Sequence, residues 1–188
     1  CTNVGKTSLL QRVTFNKCRH NYSNSIGLDF GTFTKKTSDG TEVKFQMWDS
    51  AGADRFFVWS PAYFRGKSAY LFCFDITKKE TLNWVEELLP QNYVPMDNDV
   101  IKVLIGCKKD LNAQRTVSKE EAQAFADKHS FVYYECSSKE DTGINEMMLD
   151  LADRCLVREK ERIAPESTTI MVSPAAMEQY DGDWPCQC

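Results

Sequence analysis

Three short motifs with potential phosphate, metal and purine chemistry follow one another along the chain: Val4-Gly5-Lys6-Thr7, Trp48-Asp49-Ser50-Ala51-Gly52 and Lys108-Lys109-Asp110. A phosphate loop has the pattern G-x-x-x-x-G-K-[ST]: its backbone N–H groups surround phosphates, its lysine contacts the terminal phosphates and its hydroxyl binds Mg²⁺. Gly5, Lys6 and Thr7 match the end of that pattern, whose first glycine would precede Cys1. Because a lone G-K-T before a helix is common, this match alone also fits an incidental helix start.

The second motif places a carboxylate at the end of an alternating strand. Asp49 can hold a Mg²⁺-bound water there, while the N–H of Gly52 can reach a γ-phosphate. Taken alone, D-x-x-G is more often an ordinary turn. The motif therefore indicates a phosphate and metal site only in combination with the other two motifs.

The third motif provides a purine contact. Asp110 follows the strand from Val103 to Ile105 and can accept two hydrogen bonds from N1 and N2 of guanine, donors that adenine does not offer. A solvated charge pair is the alternative. Ser137-Ser138-Lys139 follows the next strand, so four loops converge on the carboxyl ends of parallel strands, where open α/β sheets bind ligands. In this order, the motifs together predict a guanine-nucleotide site.

The elements that must position these motifs alternate along the chain. Leu9 to Phe15 predicts the helix that follows the phosphate loop. Phe30 to Lys36 predicts a strand that turns at Asp39-Gly40, a hairpin sequence, into a second strand. That second strand, from Val43 to Met47, alternates apolar and polar residues with the period of a half-buried strand.

Three later apolar runs, separated by helical patterns, predict buried parallel strands: Ala69 to Phe74, Val100 to Ile105 and Phe131 to Tyr134. Ser118 and Glu121 form a capping box for a helix through Lys128. The last helix carries an apolar stripe at helical spacing, interpreted as core: Ile144, Met147, Met148, Leu151 and Cys155. This order predicts an α/β fold with a doubly wound sheet.

Composition favours one packed domain, because the chain has 188 residues of which 42% are hydrophobic and 12% aromatic. We expect a domain over 1–163 and a disordered acidic tail over 164–188. Six of the eight cysteines are scattered along the body without paired spacing and predict reduced thiols of a cytosolic protein. No targeting segment or membrane-spanning run is found in the sequence. The balanced charge of the body does not indicate nucleic-acid binding.

The chain resembles a small GTPase of the Ras superfamily, and within it the Rab family, from Cys1 to about Arg162. Rab-like segments add to the three motifs: 26–30, 54–66 and 74–77. The resemblance implies a P-loop NTPase fold whose sheet is mostly parallel with one antiparallel edge strand. In that fold the strand before the phosphate loop is central among six, and this sequence begins after it. We therefore expect a gap in the sheet or only five strands.

The resemblance also implies the site residues. Those implied to bind GTP or GDP are Val4, Gly5, Lys6, Thr7, Ser8, Ser25, Gly52, Cys107, Lys108, Asp110, Ser137, Ser138 and Lys139. Those implied to bind Mg²⁺ are Thr7, Ser25 and Asp49. The implied catalytic positions are Lys6, Gly52 and Ala53, the last in place of the family's water-orienting glutamine.

Several positions depart from the family pattern. A methyl group at Ala53 cannot orient the attacking water, so we expect slow intrinsic hydrolysis. Cys107 replaces the asparagine of the family's N-K-x-D motif, and Cys18 replaces an aromatic ring that stacks on guanine. We therefore expect fewer contacts to the base. Ser25 replaces the switch threonine and keeps its hydroxyl. Asn3 replaces a glycine, and asparagine tolerates the left-handed conformation.

Cys186 and Cys188, in a terminal C-x-C, resemble the signal on which Rabs receive two geranylgeranyl groups. Stable anchoring requires two lipids, or one lipid with a basic patch that this tail lacks. The resemblance implies a monomer on the cytosolic face of an endomembrane. It further implies switch-region effectors, an exchange factor, a GTPase activator, a GDP-dissociation inhibitor and prenylation enzymes as partners.

The function expected from the resemblance is a Mg²⁺-dependent GTP/GDP switch in vesicle transport, with weak intrinsic hydrolysis. A membrane-attached scaffold that stays GTP-loaded or binds weakly, without turnover, is the second hypothesis. An adenosine kinase or ATPase with a phosphate loop is the third, and Asp110 disfavours it.

Overall fold

The computed structural model describes residues 3–16, 29–49, 66–89 and 100–163. Helices are α1 Lys6–Phe15, α2 Lys79–Leu88, α3 Lys119–Lys128 and α4 Ile144–Ile163. Strands are β1 Asp29–Lys36, β2 Glu42–Asp49, β3 Ala69–Asp75, β4 Ile101–Cys107 and β5 Val132–Cys136. A short 3-10 segment, Lys109–Gln114, follows β4. Within the described residues, no helix has the length and apolar character needed to cross a bilayer.

Strands β1 and β2 form an antiparallel hairpin whose register pairs Asp29 with Asp49 and Lys36 with Glu42. The turn is closed by the Thr37 hydroxyl, which donates to the Asp39 carboxylate at 2.6 Å. Gly40 then takes a φ of +86°, a left-handed conformation that glycine adopts without steric cost. The hairpin predicted at Asp39-Gly40 is confirmed.

The other three strands form a parallel sheet in the order β3-β4-β5, with α2 and α3 as the crossover helices. The register places Asp75, Cys107 and Cys136 side by side at the carboxyl ends. In the described part of the chain the strands fall into two sheets, and β2 is not hydrogen-bonded to β3. The predicted gap is therefore present among the described strands, and the predicted α/β fold is confirmed, with a parallel sheet and an antiparallel pair of strands.

Two apolar clusters cover opposite faces of the parallel sheet. One contains Phe74 and Leu104 with side chains of α2 and α3, such as Val85 and Ala126. The other contains Val103 and Ile105 of β4 with α1 and α4, and β1 and β2 pack against it. The predicted stripe of α4 belongs to this second cluster, where Met147 and Met148 are buried. Helices on both faces make the sheet doubly wound.

Helix α3 begins with half of the predicted capping box. The Ser118 hydroxyl accepts a hydrogen bond from the backbone N–H of Glu121 at 3.0 Å, which satisfies a donor of the first turn. The Glu121 carboxylate lies 2.7 Å from the ammonium of Lys79 at the start of α2. Glu121 thus also links the two helices on this face of the sheet.

Candidate functional site

The phosphate-loop residues lie at the N-terminus of α1, which begins three residues earlier than the apolar pattern indicated. Gly5 caps the helix at a φ of +116°, and its carbonyl accepts from the Leu9 N–H at 2.9 Å. Lys6 and Thr7 are therefore in the first turn, where backbone N–H groups and the helix dipole favour a bound anion. Asn3 adopts the left-handed conformation at a φ of 58°, as its type predicted.

Thr7 and Asp49 meet beside this helix end. The Thr7 hydroxyl donates to Oδ2 of Asp49 at 2.5 Å, and Asp49 is buried at the end of β2. A buried carboxylate is costly unless hydrogen bonds or a cation compensate its charge. A hydroxyl and a carboxylate are also the hard oxygen ligands that Mg²⁺ prefers, so this pair fits the magnesium implied by the sequence.

The predicted purine contacts meet on the other side of the site. The 3-10 segment after β4 carries Asp110, and the loop after β5 carries Ser137, which is completely buried. The Ser137 hydroxyl donates to Oδ1 of Asp110 at 2.6 Å and accepts from the Glu140 N–H at 3.1 Å. This bond fixes the orientation of the carboxylate while leaving its second oxygen able to accept from a ligand.

Lys108 is held by an acid that motif analysis did not single out. Its ammonium lies 2.5 Å from Oδ2 of Asp75, which is 1% exposed at the end of β3. Thr77 donates to the other oxygen through its N–H at 2.9 Å and its hydroxyl at 2.7 Å. Burial opposes ionisation, but the bonds from Lys108 and Thr77 outweigh it and lower the pKa of Asp75. The Asp75 carboxylate is therefore ionised at neutral pH.

Cys107, which directly precedes Lys108 at the end of β4, packs against the predicted phosphate loop. A Cβ placed on Gly5 would lie 3.3 Å from Cβ of Cys107 and 3.5 Å from its sulfur, so the loop lies directly on this side chain. Hydrogen bonds with the thiols of Cys136 and Cys73, and then burial, raise the pKa of Cys107 well above its usual value. Cys107 is thus a neutral, buried thiol.

Similarity to known proteins identifies the family of the chain. A sequence model described as the Ras family matches residues 1–157. The chain belongs to the Ras family. It is 33% identical over 181 residues to the Ras-related protein Rab-25 of Oryctolagus cuniculus, covering 95% of this chain and 84% of that protein. It is 32% identical over 175 residues to the GTP-binding protein YPTM2 of Zea mays, covering 93% and 84%.

As a Ras-family chain with Rab relatives, the protein is a small GTPase by family. The structure places nine of its predicted site residues along one edge, at the N-terminus of α1, at the end of β2 and after β4 and β5: Gly5, Lys6, Thr7, Asp49, Lys108, Asp110, Ser137, Ser138 and Lys139. Val4 and Cys107 are buried just beneath that edge, and Ser8 lies in the first turn of α1. Ser25, Gly52 and Ala53 lie outside the described residues, as do Cys18, Cys186 and Cys188.

Sequence reasoning missed Asp75 and Arg12 as contributors to this candidate site. Asp75 is the last residue of a strand, as Asp49 is, and that position was the available signal. Arg12 lies on α1, and its guanidinium donates to the carbonyls of Ser138 at 2.8 Å and Lys139 at 3.2 Å. Its role depends on how α1 packs against the loop after β5, which the sequence pattern does not specify.

Proposed function

We propose that the chain is a Rab-type GTP/GDP switch in vesicle transport whose Mg²⁺-dependent hydrolysis is slow without an activator. The observation that carries the proposal is the Asp110 carboxylate, oriented by Ser137 on the edge that also presents the N-terminus of α1. An acceptor at one end and an anion-binding helix end at the other match the two ends of a guanine nucleotide.

The phosphate side supports the same proposal. Lys6 and the first-turn N–H groups of α1 bind the phosphates, and Thr7, Ser25 and Asp49 hold Mg²⁺. When bound, the ion neutralises charge that develops on the phosphate oxygens. Gly52 contacts the γ-phosphate, and Lys108, Asp110, Ser137, Ser138 and Lys139 hold the base. Ala53 contributes no hydrogen bond to the attacking water, which is why intrinsic hydrolysis is slow.

An exposed aromatic pair supports effector binding near this edge. Phe30 and Trp48, on paired positions of β1 and β2, stack with ring centroids 5.1 Å apart and are 56% and 48% exposed. The ammonium of Lys67 lies 4.9 Å from the Trp48 ring centroid. Large aromatic side chains that lie together and exposed on a surface are typical of protein-binding sites. Geranylgeranyl groups on Cys186 and Cys188 attach the protein to the cytosolic face of an endomembrane.

A membrane-attached scaffold without turnover is the second candidate, favoured by the neutral Cys107 thiol at the position of the family's asparagine amide. Loss of that amide weakens the link between base and phosphate loop, and Ala53 removes the water-positioning group. In this candidate, the protein stays GTP-loaded or binds nucleotide weakly and acts through its surface alone.

Two measurements on the full chain test the proposal. Competition of GTP against ATP for a fluorescent guanine nucleotide should show strong preference for GTP, whereas equal competition contradicts a guanine switch. Single-turnover release of phosphate with Mg²⁺, alone and with a Rab activator, separates the two candidates. We expect slow release alone and faster release with the activator, and no release in either condition supports the scaffold.

A further inference from the structure

Arg12 reaches from the phosphate-binding helix to the loop after β5. It lies on α1 five positions after Thr7, and its side chain is 13% exposed. Its Nε donates to the Ser138 carbonyl at 2.8 Å, and its Nη2 donates to the Lys139 carbonyl at 3.2 Å. A guanidinium is a planar fork that holds two acceptors at once, so this residue fixes both peptide groups.

The Lys139–Glu140 peptide transmits this contact toward the purine contact. In a trans peptide the C=O and the N–H point in opposite directions. The C=O accepts from Arg12, and the N–H, which belongs to Glu140, donates to the Ser137 hydroxyl at 3.1 Å. That hydroxyl in turn donates to Asp110 at 2.6 Å. A continuous hydrogen-bonded chain therefore runs from Arg12 to the Asp110 carboxylate, and each bond polarises the next.

The end of α1 holds Arg12 in place for this role. Nη1 donates to the carbonyl of Asn16 at 3.3 Å, and Asn16 ends α1 in the left-handed conformation at a φ of 52°. The Asp141 carboxylate lies 4.0 Å from Nε and supplies a compensating charge. Because the loop carbonyls, the Asn16 carbonyl and the Asp141 carboxylate already hold the guanidinium, the side chain loses little further conformational freedom when nucleotide binds.

We propose that Arg12 is a positioning residue for purine recognition, which orients Asp110 through the Glu140 N–H and the Ser137 hydroxyl. The proposal rests on the proposed function, in which Asp110 accepts from N1 and N2 of guanine. Arg12 also lies on the helix whose first turn carries Lys6 and Thr7. It therefore connects the phosphate end of the site to the base end.

The ratio of affinities for GDP and inosine diphosphate tests this role in the full chain. Inosine has no 2-amino group, so the ratio measures the second hydrogen bond to Asp110. Arg12→Met, which keeps the length and removes the donors, should lower the ratio roughly three- to tenfold. Ser137→Ala should lower it similarly. The double variant should show a ratio only slightly lower than either single variant, because both substitutions interrupt the same series of hydrogen bonds.

Two further variants keep the outcome interpretable. Arg154→Met removes another guanidinium, whose Nε lies 2.5 Å from Asp150 on α4, and should leave the ratio unchanged. Arg12→Lys keeps a cation but has no planar fork, so it should fold and give an intermediate ratio. It also provides the test if Arg12→Met does not fold.

Three results would overturn the proposal or its premise. An unchanged ratio in Arg12→Met or Arg12→Lys, with only a lower melting temperature, would make Arg12 a packing residue. If the decreases in the ratio were additive in the double variant, Arg12 and Ser137 would affect purine binding independently of one another. A wild-type chain that binds GDP and inosine diphosphate equally would refute the proposed function of Asp110 itself.

Discussion

The Thr7 hydroxyl donates to the Asp49 carboxylate at 2.5 Å, joining the first turn of α1 to the end of β2 across 42 positions of sequence. Both oxygens suit Mg²⁺. Thr7→Val keeps the shape and removes the hydroxyl, so the Mg²⁺ concentration needed to retain GDP should rise about tenfold. Release of a fluorescent GDP analogue over a Mg²⁺ titration measures this. Thr7→Ser keeps the hydroxyl and should behave as wild type. If Thr7→Val needed no more Mg²⁺ than wild type to retain GDP, a role of Thr7 in metal binding would be contradicted.

Replacing the thiol beneath the phosphate loop should strengthen nucleotide binding. Cys107→Asn supplies an amide where the loop packs directly on the side chain, so GDP release should slow roughly three- to tenfold, the effect of one net hydrogen bond. Stopped-flow dissociation of the same analogue gives the rate. The matched control is Cys155→Ala on α4, where a partly buried thiol lies away from the loop. Faster release from Cys107→Asn would show that the pocket cannot accommodate the amide.

The Asp75 ion pair should make stability depend on pH in a defined direction. Its pKa is lowered in the folded state, so its stabilisation is fully present above the unfolded value of about 3.9 and is lost as pH falls below it. Asp75→Asn should lower the free energy of unfolding by about 1–3 kcal/mol at neutral pH. In urea denaturation, the difference in free energy of unfolding between wild type and Asp75→Asn should become smaller below about pH 4. A difference that is constant with pH would exclude ionisation as its cause.

A glutamine at Ala53 should raise intrinsic hydrolysis. An amide there can accept from and donate to water, and correct positioning of a nucleophile gives at least roughly tenfold in rate. Single-turnover phosphate release from GTP-loaded protein measures the effect without exchange. Ala53→Leu adds similar bulk without the amide and should stay slow. Equal rates in all three proteins would refute the explanation offered for Ala53.

Much of the fold was predictable because the relevant signals are local. Alternation over Val43 to Met47 and the Asp39-Gly40 turn specify the hairpin, and apolar runs specify the parallel strands. The start of α1 was placed too late because Lys6 and Thr7 are polar and do not contribute to apolar periodicity. They are helical because Gly5 caps the helix.

The site was only partly predictable, because some contacts depend on strand register and helix packing. Asp110 and Ser137 could be placed together, since both follow neighbouring parallel strands. The partner of Lys108 could not be named without knowing that β3 pairs with β4, which brings Asp75 level with Cys107. Lys108 also adopts a left-handed φ of 65°, a conformation that its residue type does not indicate.

Helix α1 is hydrogen-bonded both to the antiparallel pair and to the loop that follows the parallel sheet. Its Thr7 is bonded to Asp49 on the antiparallel pair, and about 7.5 Å farther along its axis Arg12 is bonded to Ser138 after the parallel strands. The two sheets do not share a backbone ladder between β2 and β3, so the packing of α1, together with that of α4 against β1, aligns one relative to the other. A substitution that shifts α1 will alter metal affinity and base discrimination together. The two properties should diverge only under changes that leave the helix in place, such as Thr7→Val or Arg12→Met.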